Sequence, residues 1–124
     1  MHLIDTDIII WVLRNKQKYI KLLKNLSEKG TLHISTITIA EVYKNIFPSE
    51  YTKTEEILNQ FRNFDVTPPV AKLGGLYWQE FNKKIQSLSL ADCLIAATAN
   101  INETILVSLN KKRFPMKDIK LLNF

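Results

Sequence analysis

The sequence predicts an α/β fold, a short parallel sheet flanked by helices, and three observations carry that prediction. Short apolar runs such as HLI, TLHIS and TILV recur between polar boundaries. The segments separating them show helical spacing, with capping residues and Pro or Gly punctuation. Strands that alternate with helices in this way form βαβ units, whose parallel sheet is covered on both faces. At 124 residues, with 46% apolar residues spread along the length, the chain suits one folded domain around one core.

Residues 2–5 form a short buried strand, and DIIIWVLRN, too apolar for a loop, is a helix packed on the core. KQKYIKLLKNLSEKG sets Ile20, Leu22, Leu23 and Leu26 at helical spacing, with Gly30 as its C′ stop. TLHIS (31–35) is the second strand, and Ser35 caps a helix carrying Ile39, Val42, Tyr43 and Ile46 that Pro48 ends. Thr52 and Glu55 make a capping box before a helix with Ile57, Leu58 and Phe61, and FDV (64–66) is a candidate strand.

Pro68-Pro69 opens a helix whose face is Val70, Gly74, Tyr77, Trp78, Phe81 and Ile85. Gly74 and Gly75 each cost about 1 kcal/mol there relative to Ala, so close helix packing explains them best. Ser89 to Asn100 is an Ala-rich helix buried on most sides. TILVS (104–108) is a clear strand and DIKLL (118–122) a weaker last one.

The formal net charge of +5 favours polyanionic partners, weakly by itself and more so beside a cluster of acids. Cys93 is the only cysteine, which excludes an intrachain disulfide, points to a reducing compartment, and in its apolar setting reads as an inert buried thiol. The sequence around MHLIDTD has no signal-peptide pattern, and no apolar run approaches a membrane span. A soluble cytoplasmic protein with no membrane partner is the expectation.

Asp5, Glu41 and Asp92 lie far apart in sequence, each beside apolar, buried-looking residues. In a parallel sheet ligands collect beyond the carboxyl ends of the strands. Asp5 and Asn110 follow strands and arrive at that edge, while Glu41 and Asp92 are expected in the first turns of helices beginning there. Carboxylates brought together unpaired cost several kcal/mol, which a divalent metal or a raised pKa relieves. Mg²⁺ or Mn²⁺ at such a site lowers the pKa of an attacking water and neutralises a leaving alkoxide, the chemistry of phosphodiester cleavage. Each acid also has a plainer reading. Ser89 with Asp92, and Thr38 with Glu41, fit capping boxes; Asp5 could cap the next helix, and Asp7 fits a first-turn position. His2 and His33 sit in strand-like contexts and suggest no nucleophilic chemistry.

LIDTDIIIW, the stretch ending AEVYKN, LSLADCLIAATA and ILVSLNKKRFP resemble, in order and spacing, the four acidic motifs of the PIN-domain ribonucleases, especially the small VapC-type toxins of type II toxin–antitoxin pairs. The similarity runs from residue 2 to residue 115, with no diagnostic motif between 48 and 88. It implies a PIN-like three-layer sandwich and a single nuclease domain over residues 1–124. It further implies an Mg²⁺- or Mn²⁺-dependent endoribonuclease with Asp5 and Asp92 as direct metal ligands and Glu41 as a third, direct or through water. Asn110 stands where the family has Asp or Asn and tunes metal binding or substrate placement; as an amide it puts a tightly held second metal in doubt. Ser108 and Thr6 match polar positions that hold the site by hydrogen bonds.

The same resemblance implies an RNA substrate, a homodimer and a cognate antitoxin in a groove leading to the acids. Helices 36–47 and 52–63, with Tyr43, Phe47, Tyr51 and Phe61, are candidates for its walls. Arg14, Lys44, Lys83, Lys84, Lys111, Lys112 and Arg113 are candidates for holding RNA phosphates. The alternative, for which Asn110 argues, is a catalytically weak PIN module binding RNA or a partner protein. Asp5-Thr6-Asp7 also matches the paired aspartates of haloacid-dehalogenase-like phosphatases, but no downstream Lys and acidic pair completes that set.

Overall fold

A computed structural model describes all 124 residues. Strands β1 (His2–Ile4), β2 (Leu32–Ser35), β3 (Arg62–Phe64), β4 (Ile105–Val107) and β5 (Lys120–Leu121) form one sheet, ordered β3-β2-β1-β4-β5. Every pairing is parallel. The intervening helices are α1 (Thr6–Leu13), α2 (Gln17–Ser27), α3 (Thr36–Lys44), α4 (Tyr51–Leu58), α5 (Pro68–Phe81) and α6 (Leu90–Ile101).

Side chains alternate across a strand, so β1 and β4 serve two cores at once. Leu3 and Leu106, aligned in register, face Val70, Tyr77, Ile95 and Ala96 of α5 and α6. Ile4 and Val107, the next aligned pair, face Ile8 and Ile9 of α1, Leu23 of α2, Val42 of α3 and Leu58 of α4. The result is the expected three-layer α/β sandwich. Strand order grows from β1 toward β3 and then restarts at β4, so a crevice opens between the carboxyl ends of β1 and β4. Such a reversal point is where ligands settle in open parallel sheets.

Several local expectations differ from the structure. α2 ends at Ser27, with the Glu28 and Lys29 amides donating to the Lys24 and Leu26 carbonyls, so Gly30 is not its left-handed stop. α3 closes at Asn45, before Pro48, which instead opens a 3₁₀ turn over Pro48–Glu50. That turn feeds directly into α4, leaving Thr52 inside the helix; Glu50 Oε1, not Glu55, accepts a backbone hydrogen bond, from Phe47 N at 3.0 Å. β3 pairs as Arg62–Phe64, two residues earlier than FDV, because Ser35 aligns with Phe64. Trp78 stays on the exposed side of α5, and Ile85 lies beyond its end. Gly74 does face α6: a Cβ there would sit 2.6 Å from Leu94 Cδ2, whereas one on Gly75 would meet nothing within 4 Å.

Candidate functional site

Asp5 is the first residue past β1 and the N-cap of α1, a position that turns its side chain back toward the strand ends. Thr6 N donates to Oδ1 at 2.8 Å, and the Ser108 hydroxyl, from the first residue past β4, donates to Oδ2 at 2.6 Å. Asp5 N also donates to the Val107 carbonyl at 2.9 Å, tying the two strand ends together. The carboxyl is only 5% exposed and has no cation partner. Burial pushes its pKa up to about 6, and the charges of Asp7 and Asp92 add to the rise. The hydrogen bonds from Ser108 and Thr6 hold it back in part.

Asp92 is buried in the first turn of α6. The capping box foreseen as its plainer reading is present: Asp92 N donates to Ser89 Oγ at 3.1 Å, and Ser89 N donates to Asp92 Oδ2 at 3.2 Å. Capping and placement at the crevice coincide, since the box fixes the carboxylate at the helix entrance. Arg113 Nη1 stands 3.8 Å from the same Oδ2.

Glu41 is the sixth residue of α3 and so lies in its second turn, not its first; Thr38 is buried helix interior and forms no box with it. The Thr6 hydroxyl donates to Glu41 Oε1 at 2.6 Å. With that single proton committed, the 3.2 Å contact between the Thr6 and Thr38 hydroxyls has Thr38 as donor. Asn110 ends the arrangement: its backbone N donates to Ser108 Oγ at 3.1 Å, and its Nδ2 donates to Asp7 Oδ2. Asp5, Asp7 and Asp92 therefore share one electrostatic neighbourhood, and Glu41 joins it through Thr6. No three His, Cys, Asp or Glu side chains are grouped closely enough to enclose an ion.

The donor chemistry fits a hard divalent cation. Every candidate donor at this edge is an oxygen, while His2 and His33 belong to the starts of β1 and β2 and Cys93 is buried with its thiol pushed up to about 11. Burial, with the charges of Asp7 and Asp92 added to it, is what penalises the Asp5 carboxylate, and a bound cation would offset that penalty.

A PIN domain family model matches residues 2–120. The chain belongs to the PIN-domain family. Ribonuclease VapC10 of Mycobacterium tuberculosis (strain ATCC 25618 / H37Rv) is 30% identical over 116 residues, 94% of this chain and 87% of that protein. Ribonuclease VapC2 of Haemophilus influenzae (strain ATCC 51907 / DSM 11121 / KW20 / Rd) is 30% identical over 119 residues, covering 91% and 89%. Among solved structures, VapBC2 from Rickettsia felis bound to a promoter DNA fragment superposes with a TM-score of 0.83 at 24% identity, covering 99% of this chain and 98% of that one. FitAcB from Neisseria gonorrhoeae gives 0.80 at 24%, covering 99% and 97%. These last two establish the shared fold.

Within this PIN domain, three contacts escaped sequence reasoning: the Thr38–Thr6 pair, the Asn110–Asp7 bond and the approach of Arg113 to Asp92. The first had a signal, because Thr38 and Glu41 are three apart on one helix face. The others join residues about a hundred and about twenty positions apart and had none. Of the candidate phosphate-binding cations, Arg14 pairs with Glu50 and donates to the Asn45 carbonyl. Tyr43 and Tyr51 lie together, ring centroids 6.0 Å apart, with Phe47 69% exposed; Phe61 instead lines a cavity with Val12, Ile20 and Leu23. No helix is long and apolar enough to cross a membrane.

Proposed function

We propose that this chain is an Mg²⁺- or Mn²⁺-dependent endoribonuclease, the toxin of a toxin–antitoxin pair. The observation that carries the reading is Asp5: a buried carboxylate without a cation, sharing the β1–β4 crevice with the charges of Asp7 and Asp92. Relatives named Ribonuclease VapC, 30% identical over most of the chain, support RNA as substrate.

Asp5 and Asp92 would hold the cation, with Glu41 a ligand directly or through water. When bound, it would supply Lewis acidity, a lower pKa for water and charge neutralisation at the phosphoryl oxygens. The chain's own residues prepare that site. Ser108 and Thr6 N each donate to one oxygen of Asp5, which fixes the plane of its carboxylate and leaves a lone pair free on each oxygen. Thr38 and Thr6 aim Glu41, and the Ser89 amide orients Asp92 through one oxygen. Asn110 holds Asp7 and brings the β4 end to the same place. Water attacks phosphorus and gives up a proton, the P–O bond to the leaving oxygen breaks, and that oxygen takes up a proton, so the net change is one water added across the bond.

Cleavage of folded RNA by the purified protein tests this. Activity is expected with Mg²⁺ or Mn²⁺, none in EDTA, and a loss of at least about 100-fold in Asp5→Asn and Asp92→Asn with unchanged circular dichroism. Cleavage that persists in EDTA would overturn the metal mechanism. RNA binding without cleavage would favour the second reading, a catalytically weak binding module, which the neutral Asn110 supports. An antitoxin partner and a homodimer belong to the same proposal: VapBC complexes share the fold, and Tyr43, Phe47 and Tyr51 leave an aromatic patch exposed.

A further inference from the structure

The segment after β4 reaches the acids at successive points. Ser108 bonds Asp5, Asn110 bonds Asp7, and Arg113 approaches Asp92. The third link differs in kind from the first two. Arg113 stands 3.8 Å from Asp92 Oδ2, makes no hydrogen bond to it, and keeps 42% of its side chain exposed. Asp92 Oδ2 already accepts from the Ser89 amide. An ion pair this long and this open contributes at most about 1 kcal/mol and is readily exchanged for a better partner.

A better partner has room to enter. Arg113 borders a cavity of about 580 Å³ between the loop at Gln86 and Ser87 and the turn at Asn110 and Lys112. Its ionisable lining is entirely basic, although it begins at Asn110, which itself bonds the acid Asp7. Lys111 is partly engaged, since its Nζ donates to Asn123 Oδ1 at 3.3 Å and lies over the Phe124 ring. Lys112 and Arg113 are the cations left to face an incoming anion. The planar guanidinium, with donors arranged as a fork, matches two oxygens of a phosphodiester in a way an ammonium does not.

We propose that Arg113 is a substrate-binding residue that exchanges Asp92 for the RNA phosphate next to the scissile one, with the adjoining cavity receiving the flanking nucleotide. This rests on the ribonuclease reading and adds to it a position for the strand. On RNA binding the guanidinium leaves Asp92, and that carboxylate becomes available to a cation; without RNA the same guanidinium partly offsets its charge.

The test is fluorescence anisotropy of a labelled single-stranded RNA oligonucleotide in EDTA, across a salt series from about 50 to 200 mM. Wild type, Arg113→Ala, Arg113→Lys and Lys24→Ala are compared, with thermal melts to confirm folding. Lys24 lies on α2 beside a different cavity and loses the same charge. Arg113→Ala is expected to weaken binding about tenfold and to flatten the slope of log Kd against log salt by about 0.7–1, the loss of one phosphate contact. Arg113→Lys is expected to recover the slope, and Lys24→Ala to behave as wild type. If Arg113→Ala matches either wild type or Lys24→Ala while the wild type binds RNA and cleaves it with Mg²⁺, the phosphate contact is overturned alone. If the wild type neither binds nor cleaves RNA, both this inference and the ribonuclease reading fall.

Discussion

A carboxylate at the end of a central strand is in conflict with its surroundings, and Asp5 shows how the conflict is contained. Two hydrogen bonds favour its charged form, but burial and neighbouring acids outweigh them and its pKa stands near 6. The folded protein therefore binds a proton between the unfolded value of 3.8 and about 6 that the unfolded chain does not. Stability must fall as pH rises through that window and stay low above it, by at most about 3 kcal/mol for a shift of this size. Asp5→Asn removes the charge at the cost of one well-matched hydrogen bond, worth about 1 kcal/mol. In EDTA at pH 8 the variant is expected to be more stable than wild type by about 1–2 kcal/mol, with the gap closing as pH approaches 4. Denaturant melts across pH measure this. A gap that does not change with pH would mean that Asp5 carries no charge strain.

At the level of elements, the two adjacent glycines of α5 make a controlled comparison. Gly75→Ala meets open space and gains helix propensity, so stability should rise by about 0.5–1 kcal/mol. Gly74→Ala places its Cβ 2.6 Å from Leu94 Cδ2 and 3.3 Å from Leu94 Cα, so the Leu94 side chain must turn away and the backbone of α6 must yield slightly, and the variant should lose about 1 kcal/mol or more. Equal effects in urea melts would refute the close approach of α5 and α6. The glycine pair was legible in the sequence as a packing signal, but which member packs was not, because that depends on the rotation of α5. Ser35 and Ser89 were legible as caps, since capping is local chemistry. The placement of Asp5 and Asn110 at one edge followed from their position after apolar strands. The errors fall where a tertiary contact outranks a local signal. β3 is shifted by its pairing with β2. Glu41 is a different case: it lies six residues past the Ser35 cap and so in the second turn of α3, a count the sequence already offered. Arg113 and Asp92 meet through a 3₁₀ turn over Lys111–Arg113 that no spacing rule encodes.

Across the whole molecule, β1 is the shared wall of two cores and its neighbours come from opposite ends of the chain. β2 follows it closely, while β4 arrives far later and supplies a residue to the core on each face of the sheet, Leu106 to one and Val107 to the other. A chain ending at Glu103 keeps β1, β2, β3 and every helix yet lacks Leu106 and Val107, one from each core. It is expected to show helical far-ultraviolet dichroism without a near-ultraviolet signal or a cooperative melt; a cooperative melt would show that β4 is dispensable. The same long separation bears on synthesis. Asp5 and the Ser108 hydroxyl that orients it are 103 residues apart. At roughly 5–20 residues per second a ribosome needs on the order of ten seconds to make that stretch, and during it the growing chain carries acids but no assembled site. The acids of the crevice are thus all made before the hydroxyl that orients the first of them, and their arrangement waits on the pairing of β4 with β1.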